Sequence, residues 1–492
     1  MIPLLTAREM RQFEEESIQA WGIPSLVLQE HAARGALDLL PPGEPLHVLA
    51  GPGNNGGDAL ALARLARLQG RAVEVWTLSP EPAWKGDAAF QASLWAGLGG
   101  TFQSTRKPRE ALQRFRGWVV DGLFGLGTRL PLAGLAETWV TALADAVLEG
   151  KVPFKVLALD LPSGLDPSTT DVAGPAVQAH RTAVFGHLKV CHGLRPSSCF
   201  CGEIRLVPIP LRGAPECSLK VLERPGPLFG GRWDTHKRDF GHVAIRAGSE
   251  GMGGAAVLAA LGALRMGAGL VTVLVDPEVR QEVASQVPEA MVRAWDGRVP
   301  GGVDVLLAGP GGVKDVPAWD GPLVLDASAL AQGAGPAWMA RPATVLTPHP
   351  GEFHRLFGGS RPLSHYTSER LERARAAAAG PGVLVLKGAQ SIVAGGDLEE
   401  VWVNTTGHRG LSTGGSGDFL AGMVAARVGH WAKDGGRGAR EEFRRLRQAV
   451  SDAVWLHGAA ADAFGQGPIL VRDLGPALAG LLRGIQEGSP DA

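Results

Sequence analysis

Short runs rich in β-branched and apolar residues recur through the first half of this chain, at Leu46–Ala50, Ala72–Thr77, Trp118–Asp121 and Val156–Asp160. Helical stretches lie between them, such as Ala59–Gln69, which Gly70 closes. That alternation leaves few folds open. It calls for a parallel sheet with helices on both faces. The pattern restarts with His242–Ile245 and runs on through Leu270–Val275, Val303–Leu307, Leu323–Asp326, Thr344–Leu346 and Val383–Leu386, with a small-residue helix at Ala255–Met266. Between the halves, from about Pro210 to Gly231, the chain is rich in proline and glycine and has no clear period. The expected organisation is therefore a domain over 1–212, a linker over 213–230 and a second domain over 231–485.

A chain of 492 residues has room for two or three full cores. Lys+Arg 48 against Asp+Glu 49 leaves a net charge of −1, which speaks against a nucleic-acid partner or an acidic membrane surface. The longest apolar run, Gly253–Leu264, is cut by Arg265, so no membrane span is expected. At the start, Thr6 and Glu9 fit a helix capping box, and no basic stretch precedes an apolar core. A soluble cytoplasmic protein is expected. Cys191, Cys199, Cys201 and Cys217 cluster near His192, but the C-x-C spacing lacks a second well-spaced pair, so loop cysteines are expected rather than a zinc site.

After the first strand stands Gly51-Pro-Gly-Asn-Asn-Gly-Gly-Asp58, which matches G-x-G-x-x-G between a strand and a helix. A redox dinucleotide site would put an acid at the end of the second strand, where Trp76-Thr77-Leu78-Ser79 stands instead. The side chains of Asn54, Asn55 and Asp58 suit a hydroxyl-rich ligand or a cation. Asp121 and Asp160 fall at strand ends, and in a parallel sheet those ends share the edge where ligands bind. Three oxygen-bearing loops should converge there.

The second half carries Thr405-Thr-Gly-His-Arg-Gly-Leu-Ser-Thr-Gly-Gly-Ser-Gly-Asp418, followed at once by an alanine-rich helical run. Free N–H groups at such a helix start bind phosphate oxygens, and Gly414, Gly415 and Gly417 allow close approach. Asp418 is the one group there able to take a proton. A turn that only caps a helix can have the same composition. Its company is Leu346-Thr-Pro-His349-Pro-Gly-Glu352-Phe, in which two prolines hold His349, and Leu384-Val-Leu-Lys387-Gly-Ala-Gln-Ser391, a strand ending in a cation.

On GPGNNGGD, DGLFGLGT and LDLPSGLD, residues 1–212 resemble the epimerase domain of the bifunctional NAD(P)H-hydrate repair enzymes. On FGHVAIRAGSEGMGGA, RMGAGLVTV, LVLDASAL, LTPHPGEF, LVLKGA and NTTGHRGLSTGGSGDFLAG, residues 231–485 resemble their ADP/ATP-dependent dehydratase, of ribokinase-like fold. The resemblance implies an α/β protein with a Rossmann-like three-layer domain followed by a ribokinase-like one. It implies potassium at Asn55, Asp121 and Ser163. Hydrate contacts fall on Asn54, Asn55, Gly56, Gly57 and Asp58, on Gly125, Leu126, Gly127, Thr128, Arg129, Leu130 and Pro131, and on Asp160, which is the expected proton-transfer residue. In the second half Ala255, Gly311, His349 and Asp418 contact the hydrate. The nucleotide falls on Lys387, Gly388, Ala389, Gln390 and Ser391 and on Gly414, Gly415, Ser416 and Gly417. ADP with Mg2+ is the expected donor, Asp418 the catalytic base, and a homo-oligomer the expected assembly. Departures are small: Ala59 and Ser416 replace a usual glycine and threonine. The alternative is a ribokinase-type kinase of a small alcohol with a non-catalytic first domain.

Overall fold

The computed structural model describes all residues except 81–82, 151, 230–233, 334, 360–361, 364–366, 397, 435–438 and 489–492, together with the side chains of 439–440. The chain divides into two compact units, one of Ile2–Leu219 with Tyr366–Ser368, the other of Met1, Lys220–His365 and Glu369–Ala492. The division falls inside the segment read as a linker, within Leu219–Val221, a short strand whose two apolar side chains are buried. Three residues of alternating pattern are too few to stand out from a proline-rich background. Gly230 and Gly231, where the second domain was expected to begin, lie outside the described residues.

In the first unit the strands are β1 (Leu46–Ala50), β2 (Val73–Thr77), β3 (Phe102–Ser104), β4 (Gly117–Gly122), β5 (Phe154–Leu159), β6 (Arg181–Phe185) and β7 (Glu203–Val207). They lie in the order β3-β2-β1-β4-β5-β6-β7, and every pairing is parallel. The four strands read from sequence are the adjacent strands β2, β1, β4 and β5; β3, β6 and β7 were missed. Helix α1 (Ala7–Trp21) opens on the expected capping box, with Glu9 N–H donating to the Thr6 hydroxyl and Thr6 N–H to the Glu9 carboxylate. Helix α2 (Asn54–Leu68) starts five residues before the expected Ala59, so Asn54 to Asp58 form its first turn rather than a loop.

The second unit holds β8 (His242–Arg246), β9 (Leu270–Val275), β10 (Met291–Ala294), β11 (Val305–Ala308), β12 (Leu323–Leu325), β13 (Thr344–Leu346), β14 (Val383–Leu386), β15 (Ile392–Gly395) and β16 (Val401–Val403). Their order is β16-β15-β14-β13-β12-β11-β8-β9-β10. Pairing is parallel from β10 to β14 and antiparallel from β14 through β16. Both halves are thus α/β, as the alternation requires.

Two helices fix where the second site can be. Helix α3 (Gly253–Arg265) follows β8, and α5 (Ser416–Lys433) carries the Gly-Gly-Ser-Gly-Asp text in its first turn. The helix was expected only after Asp418; it begins at Ser416, with Gly415 in the left-handed region at φ 88°. The two helices touch backbone to backbone. A Cβ on Gly422 would lie 2.0 Å from the Ala259 carbonyl oxygen, and one on Gly262 would lie 2.1 Å from that of Phe419. Asp418 and Ala255, in the first turns of these two helices, line one cavity. Gly422→Val should therefore cost about 3 kcal/mol through overpacking, whereas Gly414→Ala, with open space around it, should stay within about 0.5 kcal/mol. Urea midpoints of the two variants check this.

Candidate active sites

In the first unit, the carboxyl ends of β1, β4 and β5 bring three loops together. Asp121, fully buried in β4, accepts from the Ser163 hydroxyl at 2.7 Å and from the Ser163 N–H at 2.8 Å. Ser163 Oγ in turn accepts from Phe124 N–H at 3.0 Å, and the Asn55 amide donates to the Phe124 carbonyl at 2.8 Å. This leaves Asn55 Oδ1 buried with no hydrogen-bond partner among the described residues. An orphaned buried oxygen is costly unless something absent from the protein itself meets it. Around it stand an acid, a hydroxyl and a carbonyl, all hard oxygen donors with no nitrogen or sulfur among them. That set suits an alkali cation. Burial pushes Asp121 up to about 6, opposed by the Ser163 and Leu123 hydrogen bonds, and a cation beside it would favour its charged form.

Beside this cluster lies a second group of charges. Asp160 follows β5 with φ 59°, a left-handed conformation that is uncommon for a non-glycine residue. Its Oδ1 pairs with Lys189 Nζ and accepts from Phe185 N–H at 3.3 Å. Burial, then Asp160 and Glu14, push Asp58 well above the carboxylate range. Burial also pushes Glu14 of α1 up to about 7, with Lys189 pulling it back. Gly125 to Thr128 form a turn in which Thr128 N–H and hydroxyl both donate to the Gly125 carbonyl. Arg11 of α1 donates to the Leu126 carbonyl and so ties the helix to that loop. Ala59, the departure noted above, is accommodated because its methyl faces Gly122, where a Cβ would lie 2.4 Å away. Lys189 and Glu14 were missed in the sequence: a lysine after a strand and a glutamate in an acidic helix turn carry no pattern of their own.

Cys191, Cys199 and Cys201 carry free thiols, and Cys191 and Cys201 are buried with Leu161, Leu165 and Ala176. Among the described residues no group of three or more His, Cys, Asp or Glu is arranged to hold a metal.

In the second unit a cavity of about 510 Å3 opens at the strand ends, lined by Ala255, Gly311 and Asp418 together with Met252, Glu352 and Arg355 among others. Burial, then Asp326, push Asp418 up to about 7, and Lys387 holds it back. Lys387 Nζ pairs with Asp326 Oδ1 at 2.6 Å, and Asp326 also accepts from the Thr347 hydroxyl at 2.9 Å. Burial opposes the ammonium's charge, but Asp326, with Glu352 and Asp418, holds Lys387 above its ordinary range. The turn after β14 is pinned from behind. Buried Arg370, which burial pushes down to about 10, donates to the carbonyls of Leu386, Lys387 and Gln390. Ser391 Oγ accepts from Gly388 N–H at 3.4 Å and closes the same turn around Ala389. At the α5 start, Ser416 Oγ lies 3.3 Å from Nε2 of His457, which burial pushes down to about 4 and so keeps neutral.

His349 differs from the rest. It caps helix α4 (Pro350–Phe357), its Nδ1 accepting from Gly351 N–H at 3.0 Å, and the cavity is lined instead by Glu352 and Arg355 one turn on. Asp326, Glu352 and Arg370 were not singled out from sequence. Only Asp326 had a signal, as a carboxylate closing a strand in Leu-Val-Leu-Asp326.

The comparisons agree across both units. Residues 26–191 match the family described as YjeF-related protein N-terminus, and residues 243–475 match the one described as NAD(P)H-hydrate dehydratase. The bifunctional NAD(P)H-hydrate repair enzyme of Moorella thermoacetica is 30% identical, over 98% of this chain and 97% of its own. That of Gloeobacter violaceus is 35% identical over 93% of each. The chain belongs to the bifunctional NAD(P)H-hydrate repair enzymes. Its YjeF-related half is the epimerase and its second half the dehydratase of that family. Among solved structures, an ADP/ATP-dependent NAD(P)H-hydrate dehydratase from Bacillus subtilis, co-crystallised with ATP/Mg2+, is 30% identical over 53% of this chain and 95% of that one, with a TM-score of 0.44.

For this repair enzyme the charge assignments can be checked directly. In Lys387→Met the Asp418 carboxyl should titrate above about 7, because the cation that lowers it is gone; in Asp326→Asn it should titrate below about 7, because a like charge is gone. Carbon-detected NMR of the carboxyl across pH gives both midpoints, and shifts of the opposite sign would refute the assignment.

Proposed function

We propose that the second unit dehydrates the S hydrate of NADH and NADPH at the expense of ADP, releasing AMP and phosphate, with Asp418 as general base. The observation that carries this is the placement of Asp418. It sits in the first turn of α5, lines the cavity with Ala255 and Gly311, and has a proton affinity poised near neutrality. Asp418 takes the proton of the ring hydroxyl, and the hydroxyl oxygen attacks the terminal phosphoryl group of ADP as the bond to AMP breaks. The N–H groups of Gly415, Ser416 and Gly417 at the helix start meet the developing negative charge. Lys387 neutralises the nucleotide, in the turn that Arg370 and Ser391 hold. Phosphate then leaves with a proton from the neighbouring ring carbon, which restores the double bond. Mg2+ bound with ADP would supply charge neutralisation on the phosphates.

The first unit, in this reading, interconverts the R and S hydrates at Asp160, so that both reach the dehydratase. Asn55, Asp121 and Ser163 would hold potassium, whose charge would order the loops around the hydrate. The hydrate itself would lie against Asn54–Asp58 and Gly125–Pro131. The enzyme would work in the cytoplasm, where the thiols of Cys191, Cys199 and Cys201 stay reduced.

Mixed hydrates of NADH, followed by near-ultraviolet absorbance with ADP or ATP, test the whole scheme. Recovery from both epimers is expected, and a stable phosphorylated product would point to a kinase instead. Asp418→Asn should lose dehydration by at least about 10³-fold and keep epimerisation. Wild-type dehydration should rise as pH climbs through about 7, because the base must be ionised; a flat profile from pH 5 to 8 would sink the assignment. Replacing potassium by tetramethylammonium, or Asn55 by Leu, should slow recovery of the R hydrate alone.

A further inference from the structure

Lys189 is the most tightly held lysine near either site, and nothing above gives it work. Its side chain is 1% exposed, beside an Asp160 side chain that is 10% exposed. Burying such a pair contributes little to stability, since apolar residues of similar size often do as well. Yet the chain fixes this one lysine at every handle. Leu5 N–H donates to the Leu188 carbonyl at 2.9 Å and Val190 N–H to the Leu5 carbonyl at 3.1 Å, which clamps the residue on both sides. Lys189 N–H donates to His192 Nδ1 at 2.9 Å, and Nζ donates to the Phe185 carbonyl at 3.0 Å as well as to Asp160 Oδ1.

The result at Asp160 is asymmetric. Both Lys189 Nζ and Phe185 N–H go to Oδ1, and among the described residues Oδ2 has no hydrogen-bond donor. The strained backbone at φ 59° is the kind of conformation that persists where surrounding contacts over-determine it. Glu14 and Asp58 interact with Asp160 by charge; burial pushes the Glu14 carboxyl up to about 7 and the Asp58 carboxyl well above its ordinary value. A held acceptor near a carboxyl of raised proton affinity is the arrangement that separates base from acid in one pocket.

We propose that Lys189 is a positioning residue of the epimerase site, binding Oδ1 of Asp160 so that Oδ2 is left, oriented, to take the proton of the hydrate's ring hydroxyl. The proposal rests on Asp160 being the proton acceptor of that half. The step balances as a ring opening. Oδ2 takes the hydroxyl proton, the oxygen forms a carbonyl, and the carbon–nitrogen bond breaks with its electrons going to the ring nitrogen. A carboxyl of Glu14 or Asp58 protonates that nitrogen. Rotation of the freed carbonyl and reversal of each transfer close the ring with the hydroxyl on the other face.

The test uses the full chain with ADP and potassium, and resolved R and S hydrates. S recovery reports the dehydratase half and should not change in any variant. Lys189→Met should lower kcat for R recovery by about 10²-fold or more while KM moves by less than about threefold, and Lys189→Arg should recover part of the loss. Asp160→Asn and the double variant Asp160→Asn, Lys189→Met should have the same rate, because a residue acting through another adds nothing once the other is gone. The double variant removes both charges, so it remains informative should Lys189→Met alone fail to fold. Wild-type kcat in Lys189→Met, or a further tenfold loss in the double variant over Asp160→Asn, overturns the positioning role. Full activity in Asp160→Asn would instead overturn the underlying reading of Asp160.

Discussion

Carboxylates buried at the ligand-binding edge are the constraint on which both halves turn. Burying a charged acid is costly unless something answers it, and each acid here is answered differently. Asp121 has hydrogen bonds from Ser163; Asp160 has Lys189; Asp326 has Lys387 and Thr347. Asp418, half-buried, has no hydrogen-bond or ion-pair partner among the described residues, and its carboxyl is pushed up to about 7. The differences in answer become differences in chemistry: a cation cradle, a held acceptor, an anchor for a lysine, and a base poised at neutrality.

The frame that holds these acids in place depends on close backbone contact. The parallel strands end on one edge, and the loops leaving that edge can converge only if the next helix packs tightly. In the second unit α3 and α5 do so through Gly262 and Gly422, whose missing Cβ atoms leave room for carbonyls of the facing helix. In the first unit Gly122 makes room for the Ala59 methyl, so the departure from a glycine there costs no geometry.

Legibility in the sequence followed burial and period. The central strands, being long and apolar, were read nearly to the residue, as with Leu46–Ala50. The missed strands lie toward the ends of each sheet: β10 is largely exposed and β3 spans three residues, so neither has a sustained pattern, while β6 and β15 are buried but only five and four residues long. Both glycine-rich motif helices begin earlier than expected, because glycine and asparagine look like turn residues until free N–H groups and a close neighbour make a helical turn favourable. His349 stood out because prolines flank it, and one of them, Pro350, is the first residue of the helix it caps. Conversely Lys189, Glu14, Asp326 and Arg370 had little to mark them, since each acquires its role from a partner far along the chain.

By itself the sequence determined the α/β class, the two-part organisation and the motif text that carries the family. Those are local properties: apolar period, glycine placement and the order of short segments. Only the tertiary structure decided which carboxylate meets which cation, that Asn55 Oδ1 is left without a partner among the described residues, and that Asp418 keeps its proton to near neutrality. Desolvation and pairwise charge depend on distance in space, and spacing along the chain does not encode that distance.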